Sequence, residues 1–176
     1  MLSSITSQNN FLNPGAASPD LSFPEGAASG LPTWDKVNFQ TLSSFEMVTD
    51  QYQDWGLQFE GAIALTPSNP SFLSESDKVV LMPATGRKMI KIHLRRSIHH
   101  ITIGVRGVGI VNFMALGKNG HCLTRCSLDG QQSSLTDKNT PAHLPQKQFD
   151  LAAQQLAVLI LKSDAPFIIE SLFLTF

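Results

Sequence analysis

An excess of charge of either sign is missing from this chain. Its 13 Lys and Arg stand against 14 Asp and Glu, for a formal net charge of −1. Generic nucleic-acid binding shows as a basic excess, so no nucleic-acid partner is expected. No apolar run approaches the roughly 20 residues of a membrane helix, so no membrane span is expected. Residues 1–10 have neither a basic start nor an apolar stretch, so no secretory signal is expected and a cytoplasmic location is favoured. Cysteine is scarce, with two residues in all. On an extended strand Cys122 and Cys126 stand about 13 Å apart, whereas a disulfide needs Cα atoms within about 7 Å. Both thiols are expected to be free, which favours a reducing compartment.

Catalytic motifs are missing as well. Gly104-Val105-Arg106-Gly107-Val108-Gly109 is not a phosphate loop, because no Gly-Lys-Ser/Thr follows it and no helix opens after it. There is no Gly-x-Ser-x-Gly elbow. Asp50, Asp54 and Glu60 cluster in sequence, but nothing buries one acid and solvates another, as acid–base glycoside chemistry requires. The chain is therefore not expected to be an enzyme.

What the sequence does have is a core. Hydrophobic residues make up 42% of 176, which excludes disorder as a global description and suffices for one domain. Residues 1–35 differ from the rest: Ser, Asn, Pro, Gly and Ala dominate, with breakers at Asn13-Pro14-Gly15 and Leu31-Pro32. This reads as an extended arm ahead of a domain at 36–176. Strand-like runs then recur at 36–40, 45–50, 57–65, 78–82, 88–95, 98–106, 109–116, 121–127, 155–162 and 167–175. In 88–95, Ile90, Ile92 and Leu94 alternate with Lys91, His93 and Arg95. In 98–106, Ile101, Ile103 and Val105 alternate with His100, Thr102 and Gly104.

Arg96-Ser97 reads as a hairpin turn, Gly107 and Gly109 close the next, and Asn119-Gly120 is a strong hairpin signal. Residues 129–150 read as a polar loop, Phe149 to Gln155 as a short helical turn, and the last two runs as a closing hairpin joined by Ser163-Asp164-Ala165-Pro166. Many short strands with turns between them predict an all-β fold: an antiparallel β-sandwich of jelly-roll type with an extended N-terminal arm.

Lys36-Val37-Asn38-Phe39, Val48-Thr49-Asp50-Gln51-Tyr52, Gly56-Leu57-Gln58-Phe59 and the closing Ile168-Ile169-Glu170-Ser171-Leu172-Phe173 together resemble a bacterial family of galactose-binding-like β-sandwich domains. The resemblance spans roughly residues 36–175. It implies a scaffold found in secreted and surface proteins, hence an extracellular setting. It also implies glycan binding through loops at one rim, and a structural calcium near acidic strands. Gln40-Thr41 and Glu170-Ser171 stand where its acids belong, and calcium wants several oxygen ligands with carboxylates among them. No cofactor is expected.

Lys91, His93 and Arg95 share one strand face near Arg87, Lys88, Arg96, His99 and His100. The patch reads as a site for an anionic ligand or as a solvated face that discourages edge pairing. Trp34, Tyr52 and Trp55 are the rings able to stack on sugar; the family resemblance implies that Tyr52 packs in the core, and both Trp are also suited to covering its edge. His121, Cys122 and Cys126 lack the paired spacing of a zinc site, so no metal is expected. The expected ligand-binding residues are Lys91, His93, Arg95 and Trp55. The expected function is a non-catalytic binding module for carbohydrate, with loops 66–78 and 129–150 as its rim. The alternative is a structural or accessory subunit that docks on a protein partner through residues 1–35.

Overall fold

The strands fall into two antiparallel sheets. The structure is a computed structural model and describes residues 34–72, 79–129, 144–153 and 155–176. The expected arm up to residue 33, and the loop segments 73–78 and 130–143, lie outside the described residues. The strands are β1 (Asp35–Lys36), β2 (Met47–Val48), β3 (Leu57–Glu60), β4 (Ala62–Leu65), β5 (Val80–Pro83), β6 (Met89–Leu94), β7 (His100–Gly107), β8 (Val111–Gly117), β9 (Cys122–Leu128), β10 (Lys147–Ala152), β11 (Leu156–Lys162) and β12 (Phe167–Thr175). One sheet of seven strands runs β10-β7-β12-β5-β4-β2, with β1 added on β12. The other, of five strands, runs β3-β6-β11-β8-β9. This is the all-β antiparallel sandwich that the strand periodicity predicts.

The core forms because alternation sends one side of each strand inward. Ile90 and Ile92 of β6 and Ile101 and Ile103 of β7 are fully buried, as are Phe113, Leu159, Leu161 and Ile169. Phe113 stacks on Phe149 with ring centres 4.5 Å apart. Burying one such side chain is worth about 1.5–3 kcal/mol. Tyr52 is buried as expected, meets Phe39 and Phe59 edge to face, and donates its hydroxyl proton to the Asn38 carbonyl at 2.9 Å. Burial pushes its pKa up to about 12.

Where the chain turns, the structure corrects several expectations. β6 pairs with β3 and β11, while β7 pairs with β10 and β12. The link at Arg96-Ser97 is therefore a crossing between sheets and not a hairpin. The same holds for Gly107–Gly109, which joins β7 to β8, and for Ser163–Pro166, which joins β11 to β12. Such links have the length and composition of hairpin loops, but their flanking strands find better partners elsewhere. Asn119-Gly120 does close a hairpin: β8 pairs with β9, and Gly120 takes φ +74°.

The run 57–65 is two strands. Gly61 breaks it at φ +79°, sending β3 into the five-stranded sheet and β4 into the seven-stranded one. The expected strand 36–40 ends at Lys36 and continues as a 3-10 turn over Phe39–Thr41, because the Asn38 side chain accepts from the Gln40 backbone N–H and caps it. Phe149 to Ala152 is strand, not helical turn: β10 pairs with β7 along its whole length.

A bulge in β12 shapes the outer side of the seven-stranded sheet. Ile169 lies opposite Val105 and Ser171 opposite Gly104, so Glu170 is an extra residue. Its carboxylate is buried and accepts from Arg106 Nε at 2.9 Å. A small cluster of Phe72, Val80, Leu144 and Ile168 packs beside β5 and β12 on this outer side. Beyond the bulge, towards Thr175, no such cluster covers the same side among the described residues.

Candidate functional site

The open end of the seven-stranded sheet carries a shallow depression of about 510 Å³ lined by Trp34, His100, Thr102, Gln148, Asp150 and Phe173. Strand register assembles it. Asp150 of β10 faces Thr102 of β7, Thr102 faces Phe173 of β12, and Phe173 faces Lys36 of β1. One row across four strands therefore offers a carboxylate, a hydroxyl, a ring and a cation. Trp34 sits just ahead of β1 and is half exposed. Its ring meets His100 edge to face at 4.9 Å, and the Lys36 ammonium lies 5.9 Å from the Phe173 ring centre.

Hydrogen bonding fixes the polar members. Thr102 donates its hydroxyl proton to Asp150 Oδ1, and His100 Nε2 stands 3.9 Å from the same oxygen. Asp150 remains more than half exposed, at 56%. A half-exposed indole with a carboxylate, an amide and a hydroxyl beside it can cover one apolar face of a small ring and bond the groups on its rim.

Lys91, His93 and Arg95 are brought together on the outer side of the five-stranded sheet, as their alternation predicts. Their partners come from β3. Lys91 donates to both oxygens of Glu60 at 3.0 and 3.1 Å, His93 Nε2 lies 3.6 Å from Glu60 Oε2, and Arg95 donates to Gln58 Oε1 at 2.8 Å. Lys91, foremost, holds the Glu60 carboxyl below its usual range. Trp55 is not part of that group. It packs against the edge of the core, with its ring 6.4 Å from Phe176. Arg96 in turn stacks over Phe176 at 5.0 Å and donates to the Asp54 carbonyl.

At the positions that the family resemblance assigns to calcium, the side chains have other partners. The Gln40 side chain brackets the Val79 backbone, donating to its carbonyl and accepting from its N–H, both at 3.1 Å. Glu170 gives its Oε2 to Arg106. Among the described residues no group of three or more His, Cys, Asp or Glu could hold a metal ion. Cys122 and Cys126 are free thiols, with Cys122 exposed.

Sequence reasoning finds Trp34 as a stacking ring but misses its companions Gln148, Asp150, Thr102 and Phe173. A signal for two of them exists: Gln148, Asp150 and Ala152 alternate with Phe149 and Leu151, a strand period that reading 149–155 as a helical turn conceals.

No family model matches the chain, and no curated protein matches it. Solved structures do. The K2 cleaved adhesin domain of Lys-gingipain superimposes with a TM-score of 0.51 at 8% identity, over 82% of this chain and all of that one. The K1 domain from Porphyromonas gingivalis W83 gives 0.46 at 10% identity, over 81% and 97%. A mutant of the family 29 carbohydrate binding module CBM29-2 gives 0.38 at 8% identity, over 82% and 93%. The first likeness is one of fold: this chain is a β-sandwich of the kind found in that adhesin domain.

Proposed function

We propose that this chain is a non-catalytic carbohydrate-recognition module on a galactose-binding-like sandwich, and that it reads sugar at the Trp34 depression. The observation that carries the proposal is the Trp34 ring, half exposed beside Phe173 and rimmed by Asp150, Gln148, Thr102 and His100. Rings bury large areas at little entropic cost, and a carboxylate and an amide bond the hydroxyls that a sugar presents. A sandwich that superimposes on an adhesin domain is in keeping with a binding role. The row Lys91, His93, Arg95 serves less well as the first contact, since Glu60 already holds Lys91 and Gln58 accepts from one Arg95 nitrogen. A glycan array run with calcium and with a chelator tests the proposal. Binding that survives chelation and is lost in Trp34→Ala supports it. An empty array in both conditions, or a Trp34→Ala protein that binds as well as the parent, overturns it.

A further inference from the structure

The outer side of the five-stranded sheet carries a second concave feature. A cleft of about 290 Å³ opens over β8, β9 and β11 and is bounded by the turn at Ser163-Asp164. Register explains its composition. One row across all five strands reads Glu60, Lys91, Ile160, Met114, Arg125. The next row reads Met89, Lys162, Asn112, Ser127. Ile160 and Met114 are half-buried and form an apolar floor, which continues as Val158 and Leu116 in the row of His93.

Two cations stand over that floor. The Arg125 guanidinium lies 4.0 Å from the Met114 sulfur, and no carboxylate pairs with it among the described residues. Lys162, opposite Asn112, is exposed and makes no ion pair within salt-bridge distance among the described residues. The nearby acid is paired at the rim: Asp164 accepts from Lys88 Nζ at 3.0 Å, and Lys88 foremost, with a smaller contribution from the Lys162 charge, holds its carboxyl low. Asn112 accepts the Ser127 hydroxyl proton on its oxygen at 2.8 Å, leaving its amide N–H groups as donors. The cleft thus presents donors and two cations above an apolar floor, with its carboxylate, Asp164, at the rim and paired to Lys88.

We infer that this cleft is a second binding site, on the opposite side of the sandwich, for an oxyanion-bearing ligand such as a sulfated sugar or a uronic acid. The oxyanion meets Arg125, Lys162 and the Asn112 amide, and the apolar part of the ligand rests on Ile160 and Met114. Arg is the side chain best suited to a planar or tetrahedral oxyanion, because its fork bonds two oxygens at once. Lys91 stands two strands away from Met114 and is held by Glu60, so it contributes little.

The test is a titration of the full chain followed through the methyl NMR signals of Met114 and Ile160. The probes are inorganic sulfate, galactose 6-sulfate, galacturonate and plain galactose. The inference expects saturable shifts with the charged probes and none at these methyls with galactose. Arg125→Gln and Lys162→Gln, both at exposed positions, should each weaken binding by about tenfold. Lys91→Gln and Trp34→Ala should leave it unchanged, which separates this site from the carbohydrate proposal above. Tighter binding of galactose 6-sulfate or of galacturonate decides which oxyanion source the cleft prefers. Silent Met114 and Ile160 signals up to tens of millimolar, shifts indifferent to Arg125→Gln and Lys162→Gln, or loss of binding in Trp34→Ala would overturn it.

Discussion

Arg106 and Glu170 form an ion pair of 2.9 Å at the bulge of β12, with only 15% and 2% of their side chains exposed. Arg106 also donates to the Leu144 carbonyl, while Glu170 Oε1 has no hydrogen-bond partner among the described residues. Removing one member of a buried pair strands the other's charge, at about 3–5 kcal/mol. Arg106→Met is expected to lose that much stability in urea unfolding. The double variant Arg106→Met, Glu170→Leu should recover most of it, because neither charge is then buried. A double variant as unstable as the single one would show that the pair's geometry, and not the stranded carboxylate, sets the cost.

Gly61 and Gly120 share a left-handed backbone, at φ +79° and +74°, but not the same surroundings. A Cβ at Gly61 would stand 2.8 Å from the Met89 carbonyl oxygen, whereas one at Gly120 meets nothing within 4 Å. Gly120→Ala is expected to cost about 1 kcal/mol, the backbone strain alone. Gly61→Ala should cost clearly more, because the sheet-switching corner must move away from β6. Thermal melts of the two variants give the comparison, and equal losses would sink it.

Tyr52 supplies a pH dependence whose sign is fixed. Burial raises its pKa from the usual 10 to about 12. The neutral hydroxyl is favoured in the fold, so its contribution is complete below pH 10 and drains away as pH climbs towards 12. Each unit is worth 1.36 kcal/mol, which sets a ceiling of about 2.7 kcal/mol. Stability measured from pH 9 to 11.5 should fall less steeply in Tyr52→Phe than in the parent. Parallel slopes would mean that Tyr52 ionises in the folded state as easily as in the unfolded one.

At the candidate sugar site, Trp34→Ala should weaken glycan affinity by about tenfold or more while leaving the melting temperature within a few degrees, since Trp34 is half exposed. Asp150→Asn keeps the shape but changes an acceptor-only group to a mixed one, and affinity by isothermal titration should fall with it. Normal affinity in both variants would move the site elsewhere.

The alternation of Ile90, Ile92 and Leu94 with Lys91, His93 and Arg95, and of Ile101, Ile103 and Val105 with their neighbours, was legible because the period of a strand is a local property. So was the hairpin at Asn119-Gly120, since a two-residue turn needs the backbone freedom those residues give. That was enough to place the chain among antiparallel sandwiches. It was not enough to say which strands are neighbours. Arg96-Ser97 and Ser163-Asp164-Ala165-Pro166 look like hairpin loops, yet each carries the chain from one sheet to the other.

Pairing is decided by contacts far apart along the chain, and those contacts also decide function. Trp34 meets His100 and Phe173 faces Lys36 only because β12 accepts β1 on one side and β7 on the other. Arg125 stands beside Met114 and Ile160 only because β8 lies between β9 and β11. The chain's own periodicity determined that strands such as β6 and β8 would bury one side. Only the assembled sheets decided which outward side chains stand together, because a row across a sheet draws each of its residues from a different part of the sequence.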